Sequence, residues 1–371
     1  MPAKRILLMY ISAVSGHRSA ALAIEKAIKI LSPQTETSGI NAFHYTNPIS
    51  EKIVNRLYMS VIQKMPKVWD FLYDNPHIAR NTQKIKEIIN KMNSGKVKNL
   101  LDEHKPDVVV CTQAFPCGMV AGFKKAFNSN IPLVAVLTDY VPHSYWIYDA
   151  VNYYISPSEE VTRRLEEKGV SPGKIKSLGI PFDPKFNRPF DKGALFRKLG
   201  LNPSLPIVLI MGGGQGLGPI KEITGSLEKV KNEIQEIIVT GTNLKLYNSM
   251  VKEAKKCKKK ILVYGYTDNI DELMSLTSIL ITKPGGITTA EALAKKIPMI
   301  IVKPIPGQEA NNAVYLTEKG AAIKTEEPDK INYIVDDLLS NPDKLKRLSE
   351  SAASISKPNA SLDIAKLLLD L

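Results

Sequence analysis

Short apolar runs alternate with amphipathic stretches along the chain. RILLMYIS ends at a Ser/Gly turn and gives way to SAALAIEKAIKIL, where apolar residues recur at helical spacing. That pattern predicts a buried strand, a loop and a helix. PDVVVCTQ, PLVAVLTDY and NYYISPS read as further strands, each followed by a loop and a helix. A second series begins at PIVLIMGGG and continues through IQEIIVTG, KILVYGY, SILITKPGG and PMIIVKPIP. Runs rich in Val, Ile and Leu, separated by helices, are those of parallel sheets covered on both faces. Two such series predict an α/β protein with two doubly wound domains.

The joint lies in GIPFDPKFNRPFDKGALFRKLGLNPSLP, which is proline-rich and has no sustained period before FRKLG. It sets a first domain over 1–190 and a second over 191–357. The tail after Pro358 reads as a separate helix, 358–371, expected to pack back on the first domain. One stretch fits no minimal strand–helix unit. Residues 51–105 carry 11 Lys/Arg and 6 Asp/Glu, with Leu57, Tyr58, Val61, Ile62, Met65, Trp69, Phe71 and Tyr73 interleaved. Such a segment suits a membrane interface, or it is a pair of ordinary amphipathic helices covering the sheet.

Composition narrows the class. Of 371 residues, 44% are hydrophobic and 23% charged, which is globular rather than disordered. Three cysteines, Cys111, Cys117 and Cys257, are too few for a disulfide scaffold and have no zinc-ligand spacing. No apolar run approaches the length of a spanning helix, and the N-terminus does not read as a signal peptide, so the cytoplasm is the expected compartment. A net charge of +13 suits an anionic partner such as a nucleotide, a nucleic acid or a lipid surface, or reflects a lysine-rich solvated surface.

The second half holds the sharper chemistry. GGGQGLG, Gly212 to Gly218, follows a strand directly, as a phosphate-binding loop does. A nicotinamide enzyme should then carry Asp or Glu at the end of the next strand, but IIVTGTN ends at Thr240 and Gly241. In SILITKPGGITTAEALA the strand ends at Lys283. Pro284, Gly285 and Gly286 then turn into a helix expected to begin near Thr288, whose free N–H groups and dipole suit a diphosphate. Glu291, one turn beyond Thr288, either accepts both hydroxyls of a ribose or is a first-turn helix acid. Gln308, Glu309 and Asn312 follow the next strand in a polar loop suited to a hydroxyl-rich ligand.

In the first half, SAVSGHRSAA puts His17 in the first strand-to-helix loop, either as a general base or as a structural group. VLTDYVPHSYW adds Asp139, His143 and Trp146 at the same sheet edge. Asp139 either orients a histidine or caps a turn.

SAVSGHRSAALAI, the NP…Y…MPKVWDFLY stretch, LTDYVPHSYWIYDAVNYYISPSEEV, MGGGQGLG and ITKPGGITTAEALA…PIPGQEANN occur in this order. Together they resemble the monogalactosyldiacylglycerol synthase and processive diacylglycerol glucosyltransferase family, in glycosyltransferase family 28. More distantly they resemble the lipid II N-acetylglucosaminyltransferase. Relatives often carry a GGGH or GGTGGH loop where this chain has Ala13-Val14-Ser15-Gly16-His17. The resemblance implies a GT-B fold, two Rossmann-like domains facing across a cleft. It implies an inverting transfer of glucose or galactose from a UDP-sugar to diacylglycerol or a glycosyl-diacylglycerol, at an anionic membrane surface on the cytoplasmic face. Another GT-B activity, a lipid II-type transfer or a UDP-sugar epimerisation, is the alternative. By resemblance, Tyr266 and Thr267 frame uracil, and Gly213, Gly214, Gly286 and Thr288 hold the diphosphate, with Gln215, Lys283 and Gly285 beside them. Glu291 binds ribose, and Gln308, Glu309 and Asn312 face the sugar. Tyr58, Lys64, Lys67, Trp69, Phe115, His143 and Trp146 serve acceptor or membrane, and His17 or Asp139 is the base. No Asp-x-Asp triplet is present, so neither metal nor cofactor is expected, and no nucleic-acid partner.

Overall fold

The computed structural model describes residues 4–11, 15–45, 94–142 and 144–371. Tyr58, Lys64, Lys67, Trp69 and His143, together with most of the 51–105 insert, lie outside the described residues; residues 94–104 are helical.

In the first sheet β1 (Arg5–Tyr10), β2 (Glu36–Asn41), β3 (Val108–Cys111), β4 (Leu133–Val136), β5 (Tyr153–Ile155) and β6 (Ile175–Lys176) are all parallel, in the order β2-β1-β3-β4-β5-β6. Side chains alternate across it. Leu7, Met9, Val109, Cys111, Leu133 and Ala135 face one core with Leu100, Val120 and Trp146. Ile6, Leu8, Val108, Val110, Val134 and Val136 face another with Ile24, Ile28, Ile364 and Leu368. Full burial of each Val, Leu, Ile or Met side chain here stabilises by about 1.5–3 kcal/mol, which is why the strands read as continuous apolar runs. Ser15 starts α1 (Gly16–Leu31) by accepting from the Arg18 N–H at 3.2 Å. Helices α2 (Ala114–Phe127) and α3 (Glu159–Glu167) are capped likewise by Gln113 and Ser158.

The second sheet, β7 (Ile207–Met211), β8 (Gln235–Val239), β9 (Lys260–Tyr264), β10 (Ile279–Thr282), β11 (Met299–Val302) and β12 (Ala322–Thr325), is also parallel, in the order β12-β11-β10-β7-β8-β9. Its helices are α4 (Lys192–Leu199), α5 (Ile220–Leu227), α6 (Leu244–Ala254), α7 (Ile270–Leu276), α8 (Gly286–Ala294), α9 (Gln308–Glu318), α10 (Ile331–Ser340) and α11 (Pro342–Ile355). In both sheets the chain winds out one way and then the other. The turning points fall between β1 and β3 and between β7 and β10, and ligands of doubly wound sheets bind at such points.

The chain divides into two compact units. One comprises Met1–Pro184, Pro306–Asn311 and Asn359–Leu371; the other Lys185–Ile305 and Asn312–Pro358. The first boundary falls ahead of residue 190. Lys185 ion-pairs with Asp271 at 3.2 Å, and the Lys295 ammonium sits 4.7 Å from the centre of the Phe190 ring, which ties this stretch to the second unit. The last helix, α12 (Ala360–Asp370), lies against α1 through Ile364, Ala365 and Leu368, and the Lys4 ammonium donates to its Leu369 carbonyl at 2.7 Å. Three strands carry no sequence signal. β2 is the partly exposed ETSGIN, β6 has two residues, and β12 is AIKT at an edge.

Candidate active site

In the second unit the loops leaving β7 and β8 interlock backbone to backbone. Gly213 (φ +68°), Gly216 (φ +60°) and Gly218 (φ +111°) adopt the left-handed region. A Cβ on Gly216 would lie 1.9 Å from the Thr240 carbonyl oxygen, and one on Gly241 2.3 Å from that of Gly214. Thr242 donates to the Gly214 carbonyl from its N–H at 2.9 Å, and the Asn243 amide donates to that of Gly216 at 3.3 Å. The glycines are thus required by close packing of two loops as much as by any phosphate. Gly213 and Gly214 remain at the surface of this knot, with Gln215 exposed beside them. Lys283 lies against it, since a Cβ on Gly218 would be 3.6 Å from its Cδ.

The turn after β10 closes the other side of the turning point. The Thr282 hydroxyl donates to the Met211 carbonyl at 3.0 Å, which ties the end of β10 to that of β7. Helix α8 begins at Gly286, earlier than the expected start near Thr288, with Gly285 as a cap that offers no side-chain acceptor. Thr288 therefore stands in the first turn, and Glu291 is not a first-turn acid. The neighbouring Thr289 is fully buried and spends its hydroxyl on the Gly285 and Gly286 carbonyls at 3.1 and 2.9 Å. Half-buried Thr288 and Glu291 lie one turn apart at this end of the helix.

Asn312 departs from its expected role. It is fully buried, and its amide donates to the Pro284 carbonyl at 3.0 Å, so it braces the Pro284-Gly285-Gly286 turn instead of facing a sugar. Gln308 and Glu309 occupy the first turn of α9, half-buried, in the segment grouped with the first unit. Tyr266 is 67% exposed at the exit of β9, and Thr267 is bonded to Asn269.

In the first unit His17 sits in the first turn of α1, beside the β1/β3 turning point. The buried Thr112 hydroxyl donates to the His17 carbonyl at 2.8 Å, and Thr138, just beyond β4, places its Oγ1 3.1 Å from His17 Nδ1. Burial pushes the imidazole below its ordinary value, and the Asp139 carboxylate and the Thr112 carbonyl pull it partly back. His17 is therefore neutral at pH 7 and close enough to Asp139 to feel its charge. Trp146, expected to face acceptor or membrane, is instead 4% exposed in the core, where its indole packs with Val120 and Leu133 as members of one cluster. Phe115, half-buried on α2, lies 5.9 Å from Phe43 between ring centres. Sequence reasoning missed Thr112, Thr138, Thr282 and Thr242, hydroxyls at or just past strand ends whose partners only the sheet order reveals. Among the described residues no group of three or more His, Cys, Asp or Glu is arranged to hold a metal ion, and no helix is long and apolar enough to cross a membrane.

Two Rossmann-like units, each with its loops gathered at a turning point, define a GT-B protein. The fold matches that of Acinetobacter baumannii MurG (TM-score 0.62, 13% identity, 99% of this chain and 100% of that one). It also matches Anabaena HepE solved with UDP-glucose (TM-score 0.57, 15% identity, 99% and 100%). Residues 17–182 match the monogalactosyldiacylglycerol (MGDG) synthase family and 207–368 the glycosyltransferase family 28 C-terminal domain. The processive diacylglycerol β-glucosyltransferase of Bacillus subtilis is 32% identical over 96% of this chain and 93% of its own. That of Bacillus licheniformis is 31% identical over 96% and 92%. The chain belongs to the family of these diacylglycerol glucosyltransferases.

Proposed function

We propose that this protein is an inverting glycosyltransferase that moves a hexose from a UDP-sugar to diacylglycerol or to a glycosyl-diacylglycerol. The observation that carries this is similarity along nearly the whole chain to enzymes named for that reaction. In this reading the donor binds at the β7/β10 turning point. The diphosphate lies against Gly213, Gly214, Gly286 and Thr288 with Lys283 beside it, the ribose on Glu291, the uracil by Tyr266 and Thr267, and the sugar by Gln308 and Glu309. The α8 N-terminus, with no side chain capping it, supports the diphosphate assignment.

The acceptor hydroxyl attacks the anomeric carbon from the face opposite UDP, and neutral His17 takes its proton as the new C–O bond forms. Leaving-group charge falls on backbone N–H groups, the helix dipole and Lys283, so the reaction runs without a metal or other cofactor. The site of action is the cytoplasmic face of the membrane, with the enzyme peripheral and drawn there by anionic phospholipid. The basic, aromatic composition of 51–105 supports this.

The test is incubation with UDP-glucose or UDP-galactose and diacylglycerol in phosphatidylglycerol vesicles, with lipid products resolved. Transfer of hexose to the lipid is the expected result, and release of a free or epimerised sugar nucleotide without a glycolipid would refute it.

A further inference from the structure

His17 is fixed from two directions. The Thr112 hydroxyl holds its backbone carbonyl at 2.8 Å, and the Thr138 hydroxyl meets its ring at Nδ1, 3.1 Å away. Thr112 is fully buried and Thr138 is 5% exposed, so water competes little for either hydroxyl. A neutral imidazole carries one proton, and the bond at one nitrogen decides which nitrogen holds it. If Thr138 donated to Nδ1, the proton would sit on Nε2 and the ring could offer no base at its outer end. If Thr138 accepts, Nδ1 keeps the proton and Nε2 presents a lone pair. With Nδ1 set against the Thr138 hydroxyl, only the second arrangement leaves a ring nitrogen able to accept a proton, as the role of base requires.

We propose that Thr138 is a positioning residue for His17: its hydroxyl oxygen accepts the Nδ1 proton, which leaves Nε2 bare to receive the proton of the acceptor hydroxyl. The proposal rests on the reading of His17 as the base. The proton balance is complete. The acceptor O–H bond breaks as its oxygen bonds the anomeric carbon, the electron pair of the old C–O bond leaves with UDP, and the proton goes to Nε2. The imidazolium so formed keeps its Nδ1–H on Thr138 and its charge beside Asp139.

The chain has five histidines, so 15N-histidine labelling gives a spectrum simple enough to assign with a His17→Gln variant. Long-range 15N–1H correlation reads the tautomer directly. In the wild-type protein His17 is expected with Nδ1 protonated and Nε2 bare. Thr138→Val keeps the shape and removes the acceptor. It should shift the ring toward the Nε2-protonated form and lower kcat about tenfold with the KM for UDP-sugar unchanged, and Thr138→Ser should restore both. A wild-type His17 protonated on Nε2 overturns the proposal even if the valine variant fails to fold. So does a folded valine variant with unchanged tautomer and kcat, or a serine variant that behaves like valine. Normal turnover in His17→Ala overturns the base assignment instead, a failure the spectrum of the wild-type protein distinguishes from the first.

Discussion

The Asn312 amide donates to the Pro284 carbonyl at 3.0 Å, so a helix that follows β11 holds the turn that follows β10. The bond is buried, and its loss strands a carbonyl at a cost of about 1–3 kcal/mol. Asn312→Ala is expected to lower stability by that order and to weaken UDP binding severalfold, because Gly285 and Gly286 lose their support. Denaturant unfolding together with UDP titration calorimetry checks both effects. Weakened stability with wild-type UDP affinity would separate the brace from the site.

Glu291 should act on the ligand more directly. It lies one turn beyond Thr288 and does not cap the helix, and a carboxylate bonded to ribose hydroxyls leaves them unpaired when truncated. Glu291→Ala is expected to raise the UDP dissociation constant about tenfold or more with the fold intact. Calorimetry showing the wild-type value would remove Glu291 from the donor site.

The fold class was legible because eight of the described strands are runs of mostly buried, mostly apolar residues, and burial on both faces leaves that signature. The edge strands β2 and β12 were not, since an edge needs no such run. The local geometry of the candidate site was legible where a motif is local, as in Pro284-Gly285-Gly286 leading into the helix that carries Thr288 and Glu291. It was misread where distant elements decide. Asn312 looks like a ligand contact until Pro284 is seen above it, and Trp146 looks like a membrane anchor until Val120 and Leu133 are found in its cluster. Thr138 has no local signature, since only the order β1-β3-β4 brings it to His17.

Glu236, the second residue of β8, is fully buried, and neither carboxyl oxygen has a hydrogen-bond partner among the described residues. Burial, then the nearby Glu228 carboxylate, push it up to about 8, although Lys259 pulls the other way. The Lys259 ammonium itself donates to the Leu227 and Val230 carbonyls at 2.6 and 2.8 Å. An unfolded glutamate ionises near 4.5, so between that pH and about 8 the folded state holds the extra proton and stability falls as pH rises. Glu236→Gln removes the titration. Its stability should stay flatter across this window and exceed the wild-type value at pH 8 by roughly 2–4 kcal/mol. Parallel pH dependence of the two proteins in urea unfolding would show that Glu236 does not titrate there.

His17 and Asp139 are the two candidates for the base, and the pH dependence of their variants distinguishes them. Burial holds His17 below the ordinary histidine range, so it is neutral at pH 7 and needs no further shift to accept a proton. Turnover should therefore be level near neutrality and fall only as pH drops through the lowered His17 value, below the point where a free histidine would lose activity. His17→Ala should lower kcat by at least about a hundredfold, the usual scale of general-base help, while UDP affinity stays near normal. EDTA should change little if, as proposed, charge on the leaving diphosphate is met by backbone N–H groups and Lys283. If Asp139 were the base, His17 would serve only to bind lipid. Asp139→Asn would then abolish turnover while His17→Ala left kcat close to normal, raised the KM for diacylglycerol, and kept the low-pH limb in place. With His17 as base, Asp139→Asn removes the charge that helps the imidazolium form, so the low-pH limb moves further down and kcat falls without vanishing. The pair of variants, each measured as kcat against pH with dioleoylglycerol, therefore gives opposite patterns for the two assignments.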